Sequence, residues 1–286
     1  MNILIAGATG AAGQALIPLL EAKGHTVTGT SRKDMDGLDP QSVKRMVERV
    51  QPDVIVHQMT ALKDIDMRNI DKAFHITNRL RTEGTKNLID AMAPGTKLIV
   101  QSFAGWPYER TGGLIKTEDD PLDPDPPKGI RETHAAIREC ERLTREAGGV
   151  VLRYGGFYGP GTTTADLIRA RKMPLVGNGG GVFSFLHTDD IATATLAAIG
   201  HGRPGEIYNI VDDEPAPAKE WLPFLAKRLG AKPPRKVPAW LVKRLASPAA
   251  VAMMTESRGA SNAKAKAELG WQPTHPSWRE GFAAGA

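Results

Sequence analysis

The first residues of the chain constrain it most. Asn2 to Ala6 is a short apolar strand, and it runs straight into Gly7-Ala8-Thr9-Gly10-Ala11-Ala12-Gly13. A helix is predicted from Gly10 to Lys23, with Gly24 placed to end it in a left-handed cap. Each glycine has its own steric reason. Gly7 permits a tight exit from the strand. Gly10 has no Cβ, so a pyrophosphate can approach the backbone. Gly13 lets the helix pack closely on the sheet, and the free amides of the helix start then face the phosphates. A lone glycine pattern says little, but one that follows a strand and opens a helix reads as a dinucleotide-binding turn. Gly7, Thr9, Gly10, Ala11, Ala12 and Gly13 are therefore the first candidate cofactor residues. Pro18 conflicts with its surroundings and predicts a kinked helix or a displaced start.

The tip of the next strand, Thr26 to Thr30, discriminates between cofactors. A carboxylate there binds the adenosine ribose and favours NAD, whereas an arginine favours the 2′-phosphate of NADP. Here the strand runs into Ser31-Arg32-Lys33, with no acid at its tip. Ser31 can donate a hydrogen bond and Arg32 a charge-assisted one. The expectation is NADP(H), with NAD(H) less favoured.

Beyond this point strands and helices alternate: a helix at Pro40 to Val50, strands at Asp53 to His57 and Lys97 to Gln101, a helix at Glu132 to Ala147, and a strand at Val150 to Arg153. A long helix ends near Met92, where Pro94-Gly95 punctuates. Continuous apolar strands separated by helices predict a parallel sheet covered on both faces. The fold class is thus α/β, a doubly wound parallel sheet of Rossmann type with a smaller C-terminal substrate domain. The expected division is residues 1–160 for dinucleotide binding and 161–286 for substrate, with a strand and helix near 184–200 returning to the sheet. The stretch Thr117 to Lys128 is too rich in Pro and Asp to be regular and reads as a surface loop.

Composition narrows the function classes. The net charge of +5 is mostly dispersed, and no RNA-binding aromatic motif, zinc finger or basic arm is present, so nucleic acid is not an expected partner. No apolar run approaches the roughly 20 residues of a membrane helix, and the start shows no signal-peptide pattern. Cys140 is the only cysteine, which excludes a disulfide within the chain and makes a reducing cytoplasm the simplest compartment. His187 followed by Asp189-Asp190 has no second histidine at ligand spacing, so no metal is expected.

Several motifs, in order, resemble those of the extended short-chain dehydrogenases/reductases, in the NAD-dependent epimerase/dehydratase group. Gly7 to Gly13 is similar to that family's Gly-x-x-Gly-x-x-Gly. "MDGLD" resembles the segment that meets the adenine, which implies Asp36 and Gly37. "PDVIVHQMTA" resembles the strand that brings Met59, Thr60 and Ala61 beside the cofactor. "EGTKNLIDA" resembles a helix motif, although Arg81 stands where the family has Asn and Asn78 is displaced. "LRYGGFYGPG" resembles a segment that implies Tyr154, Gly156 and Phe157 as cofactor contacts, with Tyr154 replacing Pro and Gly156 replacing Asn. "FLHTDDIATA", "GEIYNIVDDE" and "SNAKAKAELGWQP" resemble later signatures.

The resemblance also implies a Ser followed by Tyr-x-x-x-Lys on a helix. There the Tyr moves a proton to or from the substrate oxygen, and the Lys lowers the Tyr pKa and binds the nicotinamide ribose. Ser102 matches the Ser, four residues before Trp106. The helix departs from the pattern: registered on Glu141 and Leu143, it has Thr133 at the Tyr position and Ile137 at the Lys position. A slip of one residue offers His134 and Arg138 instead, at the expense of the Glu141 match. Ser102 and Thr133 are the catalytic candidates. Three readings stay open: hydride transfer to a small activated carbonyl, imine or conjugated alkene, with Ser102, Thr133, a water or a nearby Tyr handling the proton; a sensor or scaffold without turnover; and a non-redox isomerase, cyclase or epimerase. Trp106, Tyr108, Tyr158 and Phe183 are the expected substrate contacts, with Phe185 beside them. Pro238 to Met254 reads either as a mobile cover or as a surface helix pair, and a homodimer is compatible with the family.

Overall fold

The computed structural model describes residues 1–62 and 69–284. The elements that build the sheet are β1 (Asn2–Ala6), α1 (Ala11–Ala22), β2 (Thr26–Thr30), α2 (Pro40–Val50), β3 (Val54–His57), β4 (Lys97–Phe103), α3 (Arg131–Glu146), β5 (Val150–Tyr154), α4 (Thr188–His201) and β6 (Ile207–Ile210). The six-stranded sheet has the order β6-β5-β4-β3-β1-β2, and every pairing is parallel. Strand alternation divides the core. Ile3 and Ile5 face one layer with Leu16, Ile191 and Ala198 of α1 and α4. Leu4 and Ala6 face the other with Val43, Leu88 and Cys140. The chain turns to opposite sides of β1 to form β2 and β3, so their carboxyl ends are the topological switch point, the place where open α/β sheets bind ligands.

The sheet draws on residues as far as Ile210, well beyond 160. α4 packs on α1, and β6 is the edge strand beside β5. A separate aromatic core lies under the second half, with Tyr158, Phe185, Trp221, Trp278 and Phe282 buried together. α1 runs unbroken through Pro18 from Ala11 to Ala22, against the expected kink. Pro18 is on the exposed face, where water satisfies the carbonyl that loses its donor. The long helix expected before Met92 is segmented: Ile70–Ala73, His75–Arg79, a π-helical turn at Leu80–Gly84, and Thr85–Ala91. Single π turns inside helices occur frequently at functional sites.

Candidate functional site

The three glycines do three different things. Gly7 has φ +95°, and a Cβ there would meet the Gln58 carbonyl oxygen at 2.6 Å. A Cβ on Gly13 would meet the Ala8 backbone at 2.6 Å. Gly10 is different, because its missing Cβ would find nothing nearer than 3.7 Å. Packing therefore requires glycine at 7 and 13, while at 10 it leaves open space above the helix start. Gly10 caps α1 without a side-chain hydrogen bond, and no acid lies in the first turn. Uncapped amides beside an open cradle fit a pyrophosphate. Thr9 is exposed and Ala11 half-buried at this turn, whereas the Ala12 side chain is buried in the core.

At the tip of β2 the fold supplies an acid that the strand itself lacks. Asp34 folds back, and its Oδ2 accepts from the Ser31 hydroxyl at 2.6 Å and the Ser31 amide at 2.9 Å. These bonds hold the Asp34 carboxyl below the usual carboxylate range. The Ser31 hydroxyl is thus already in use. Arg32 and Lys33 are exposed beside it. Asp36 is also committed locally, accepting from the Leu38 amide at 3.0 Å. Gly37 lies against Met59, whose sulfur would be 2.5 Å from a Cβ there, so these two sequence-predicted residues meet. The Met59 amide donates to Nδ1 of His57 at 3.1 Å, and burial holds the His57 imidazole down at about 4. Thr60 and Ala61 are exposed at the carboxyl end of the sheet, with the Ala61 amide donating to Thr77 Oγ1 at 3.0 Å.

Both catalytic candidates have committed hydroxyls. Ser102 Oγ donates to Glu141 Oε1 at 2.6 Å, and Glu141 also accepts from Arg153 at 2.8 and 2.6 Å. Arg153 reaches the Tyr108 hydroxyl at 2.9 Å, which donates to Asn209 Oδ1 at 2.7 Å. Tyr108 is therefore interior and holds this network, rather than lining a substrate pocket, and burial pushes its hydroxyl up to about 12. Thr133 Oγ1 donates to Asp71 Oδ1 at 2.8 Å and accepts from Asn78 Nδ2 at 3.1 Å. Asn78 Oδ1 in turn accepts from Arg81 Nη1 at 3.3 Å. Ile137 is buried one turn from Thr133. The slipped pair does not act together either: His134 faces Trp106, while Arg138 Nη1 donates to the Asp123 carbonyl at 2.7 Å.

The other aromatic candidates separate. The Tyr154 hydroxyl lies 2.8 Å from Thr195 Oγ1 and accepts from Gln58 Nε2 at 3.2 Å, inside the core rather than facing a ligand. Thr195 donates its own proton to Ile191, so Tyr154 donates to Thr195. Burial raises the Tyr154 hydroxyl to about 12. Phe157 is half-buried against the Tyr154 ring, and Gly156 is exposed between them. Tyr158 is stacked on Phe282 at 4.3 Å in the second core, and Phe183 and Phe185 pack edge-on to Trp221 there. Tyr158 is fully enclosed, so that core cannot present it to a substrate. Trp106 is half-buried and belongs to a cluster with Ile70, Phe74, Phe103, Ala249 and Met253. Phe103–Trp106 and Trp106–His134 ring centroids are 5.4 and 5.3 Å apart.

This aromatic wall is the part the motifs did not supply. Phe103 follows Ser102 in β4, and the two-residue period of a strand already puts them on opposite faces. The His134 Nδ1 is buried without a hydrogen-bond partner, and burial holds that imidazole down at about 4, so it is neutral at pH 7. Pro238 to Met254, read as either a mobile cover or a surface helix pair, forms two helices. Helix Pro248–Thr255 sends Ala249 and Met253 into the wall, while helix Ala239–Leu245 has no fully buried residue and leaves Trp240 67% exposed. Far along the chain, His275 stacks on His187 at 3.7 Å, with Asp189 Oδ2 3.4 and 3.5 Å from their nitrogens. This second histidine was invisible in local spacing. His187 Nδ1 accepts the Asp189 amide at 3.2 Å, so it caps α4.

A parallel sheet with a glycine turn at its switch point defines the architecture of a dinucleotide-binding α/β protein. More narrowly, the chain belongs to the NAD dependent epimerase/dehydratase family, whose family model matches residues 3–211. It is 42% identical over a 303-position alignment, covering 99% of both chains, to the 3-diazoavenalumate denitrifying reductase of a Streptomyces species. It is 26% identical to the dTDP-4-dehydrorhamnose reductase of Streptomyces griseus, covering 82% of this chain and 78% of that one. Among solved structures, Thermus thermophilus UDP-glucose 4-epimerase in complex with NAD superposes with a TM-score of 0.78 at 22% identity, over 100% of this chain and 97% of that one. Human epimerase family protein SDR39U1 with NADPH gives the same score and identity, over 100% and 99%. These two share the fold. No helix among the described residues is long and apolar enough to cross a membrane.

Proposed function

We propose that this protein is an NADPH-dependent reductase that replaces the dinitrogen of a small arenediazonium compound with hydrogen. One observation carries the reading. The hydroxyls at the family's proton-transfer positions, Ser102 and Thr133, are tied to Glu141 and Asp71, and the Lys position is Ile137. Such a site is poorly equipped to protonate a substrate oxygen. Bound at the glycine turn, NADPH is a hydride donor. A diazonium carbon needs that electron pair and nothing else: a C–H bond forms, the C–N bond breaks, and its electrons leave with N2. No oxygen gains charge, so no Tyr–Lys pair is required. The 42% identity to a denitrifying reductase of a diazo compound supports the same chemistry.

The chain's own residues have a second task. Phe74, Phe103, Trp106 and Met253 form an apolar wall suited to a planar substrate and exclude water, which otherwise hydrolyses such an electrophile. The preference for NADPH rests on Arg32, exposed beside Ser31 at the β2 tip. Arg32→Ser is expected to weaken NADPH binding roughly 10- to 100-fold, as loss of charge-assisted hydrogen bonds does, and to leave NADH binding unchanged. Equal affinity of the parent protein for both, by fluorescence titration, contradicts the assignment.

The reaction is tested with an arenediazonium salt and NADPH deuterated at either face of C4. The expected result is one N2 per NADPH consumed, faster than the protein-free control, with deuterium delivered from one face only to the carbon that lost nitrogen. A rate equal to the control, or equal transfer from both faces, overturns the proposal.

A further inference from the structure

Among the described residues, Arg81 is a buried cation beside the Phe103–Trp106 wall that has no acidic partner. It is 4% exposed and projects from the π-helical turn. Its guanidinium makes a single hydrogen bond, to Asn78 Oδ1 at 3.3 Å, and no carboxylate lies within ion-pair distance among the described residues. The other buried arginine near the site, Arg153, is held by both oxygens of Glu141. Arg81 instead lies over the rings of Phe103 and Phe74, 4.8 and 5.5 Å from their centroids. Ring faces recover only part of what desolvation of a guanidinium costs. Burial lowers the Arg81 pKa to about 10, which leaves it charged at neutral pH. That one hydrogen bond leaves most of the guanidinium's five donors without an acceptor on the described residues, and none of its nitrogens is among the fully enclosed polar atoms that lack a partner.

The surroundings specify what is missing. Arg81 is linked through Asn78 to Thr133, at the family's Tyr position, and the π turn packs on α3. A positive charge thus persists near that position, on a different element. The rings beneath it are continuous with the Phe103–Trp106 wall. A bidentate acceptor joined to a flat apolar body fits both features.

We propose that Arg81 binds the carboxylate of an aromatic carboxylic acid substrate, and that it sets specificity for acids over their neutral analogues. The proposal rests on reading the Phe103–Trp106 wall as the substrate site. Its test uses unreactive acids, so it succeeds or fails independently of the diazo chemistry.

The probes are trans-cinnamate and trans-cinnamamide, titrated calorimetrically into the full chain saturated with NADP+. The parent is expected to bind the acid roughly 30-fold more tightly than the amide, within the range of charged hydrogen bonds. Arg81→Met is expected to remove that preference by weakening cinnamate alone, with cinnamamide and NADP+ affinities unchanged. Arg81→Lys is expected to restore part of it. Equal binding of acid and amide by the parent overturns the proposal and needs no variant. A preference that survives in Arg81→Met also overturns it. So does a loss confined to NADP+, which would assign the guanidinium to the cofactor. If Arg81→Met does not fold, Arg81→Lys and Arg81→Gln carry the same comparison.

Discussion

Two hydrogen-bonded chains flank α3, and each contains one of the hydroxyls that sequence marks as catalytic. On one side Ser102, Glu141, Arg153, Tyr108 and Asn209 are linked in series, and the cation is neutralised within the chain. On the other side Asp71, Thr133, Asn78 and Arg81 are linked, and the series ends at a guanidinium with no carboxylate. They use similar residue types, but Asp71 and Asn78 of the second are only half-buried. The difference is where the charge is left: the first is a structural tie between β4, β5 and α3, whereas the second is complete only when something else enters.

That comparison predicts the largest effect at Glu141. Glu141→Leu leaves Arg153 buried and unpaired, which costs about 3–5 kcal/mol and is expected to lower the melting temperature by roughly 10 °C. Arg81→Met removes a cation that has no partner to strand, so its stability is expected to stay within about 1 kcal/mol of the parent. Calorimetric melting of the two variants decides the matter, and equal destabilisation would erase the distinction between the chains.

An intermediate effect is expected at the hydroxyls. Ser102→Ala and Thr133→Val each remove a buried hydrogen bond to a carboxylate, at about 1–3 kcal/mol of stability. Neither is expected to change the rate of hydride transfer more than about threefold, because neither hydroxyl is free to donate. A fall of about 100-fold in kcat at either position, in the range of lost general acid catalysis, would restore that residue as a proton donor.

The smallest effect is in the pH dependence. His134 borders the open chain and is held neutral by burial, at about 4 against 6.5 when unfolded. Below pH 6.5 the unfolded chain binds the proton and the folded one does not, so stability falls as pH drops towards 4. The slope is at most about 1.4 kcal/mol per pH unit for this one group. His57 contributes in the same sense. His134→Phe is expected to reduce the slope of denaturation midpoint against pH between 6 and 4.5, and an unchanged slope contradicts a neutral buried imidazole.

The glycine turn was legible in the sequence because its constraints are local: Gly7, Gly10 and Gly13 act on their own backbone and on residues next to them. The parallel sheet was legible for the same reason, from runs such as Val54–His57. The aromatic candidates were less so. Tyr108 and Tyr158 sit in short loop-bordered segments, and their burial depends on Asn209 and on Phe282, far away in the chain. Asp34 is not legible as an acid at the β2 tip because a turn, and not the strand, returns it there. Arg81 stood out only as a departure from a pattern. Its lack of a carboxylate is a property of every neighbour at once, which no motif records.

The π turn separates two kinds of obligation along one helix. In an α-helix each residue advances about 100°, so a face is fixed for the whole length. The wider turn at Leu80–Gly84 shifts that phase. Asn78 and Arg81 precede or begin it and form the series with Thr133, while Thr85 and Leu88 follow it and meet Cys140 and the sheet core. Deleting a single residue there would restore an ordinary helix and bring the two sets out of alignment. With the turn kept, the residues of that series can be exchanged without rewriting the core-facing ones. A lineage can therefore retune what this chain recognises while its sheet and cofactor turn stay as they are.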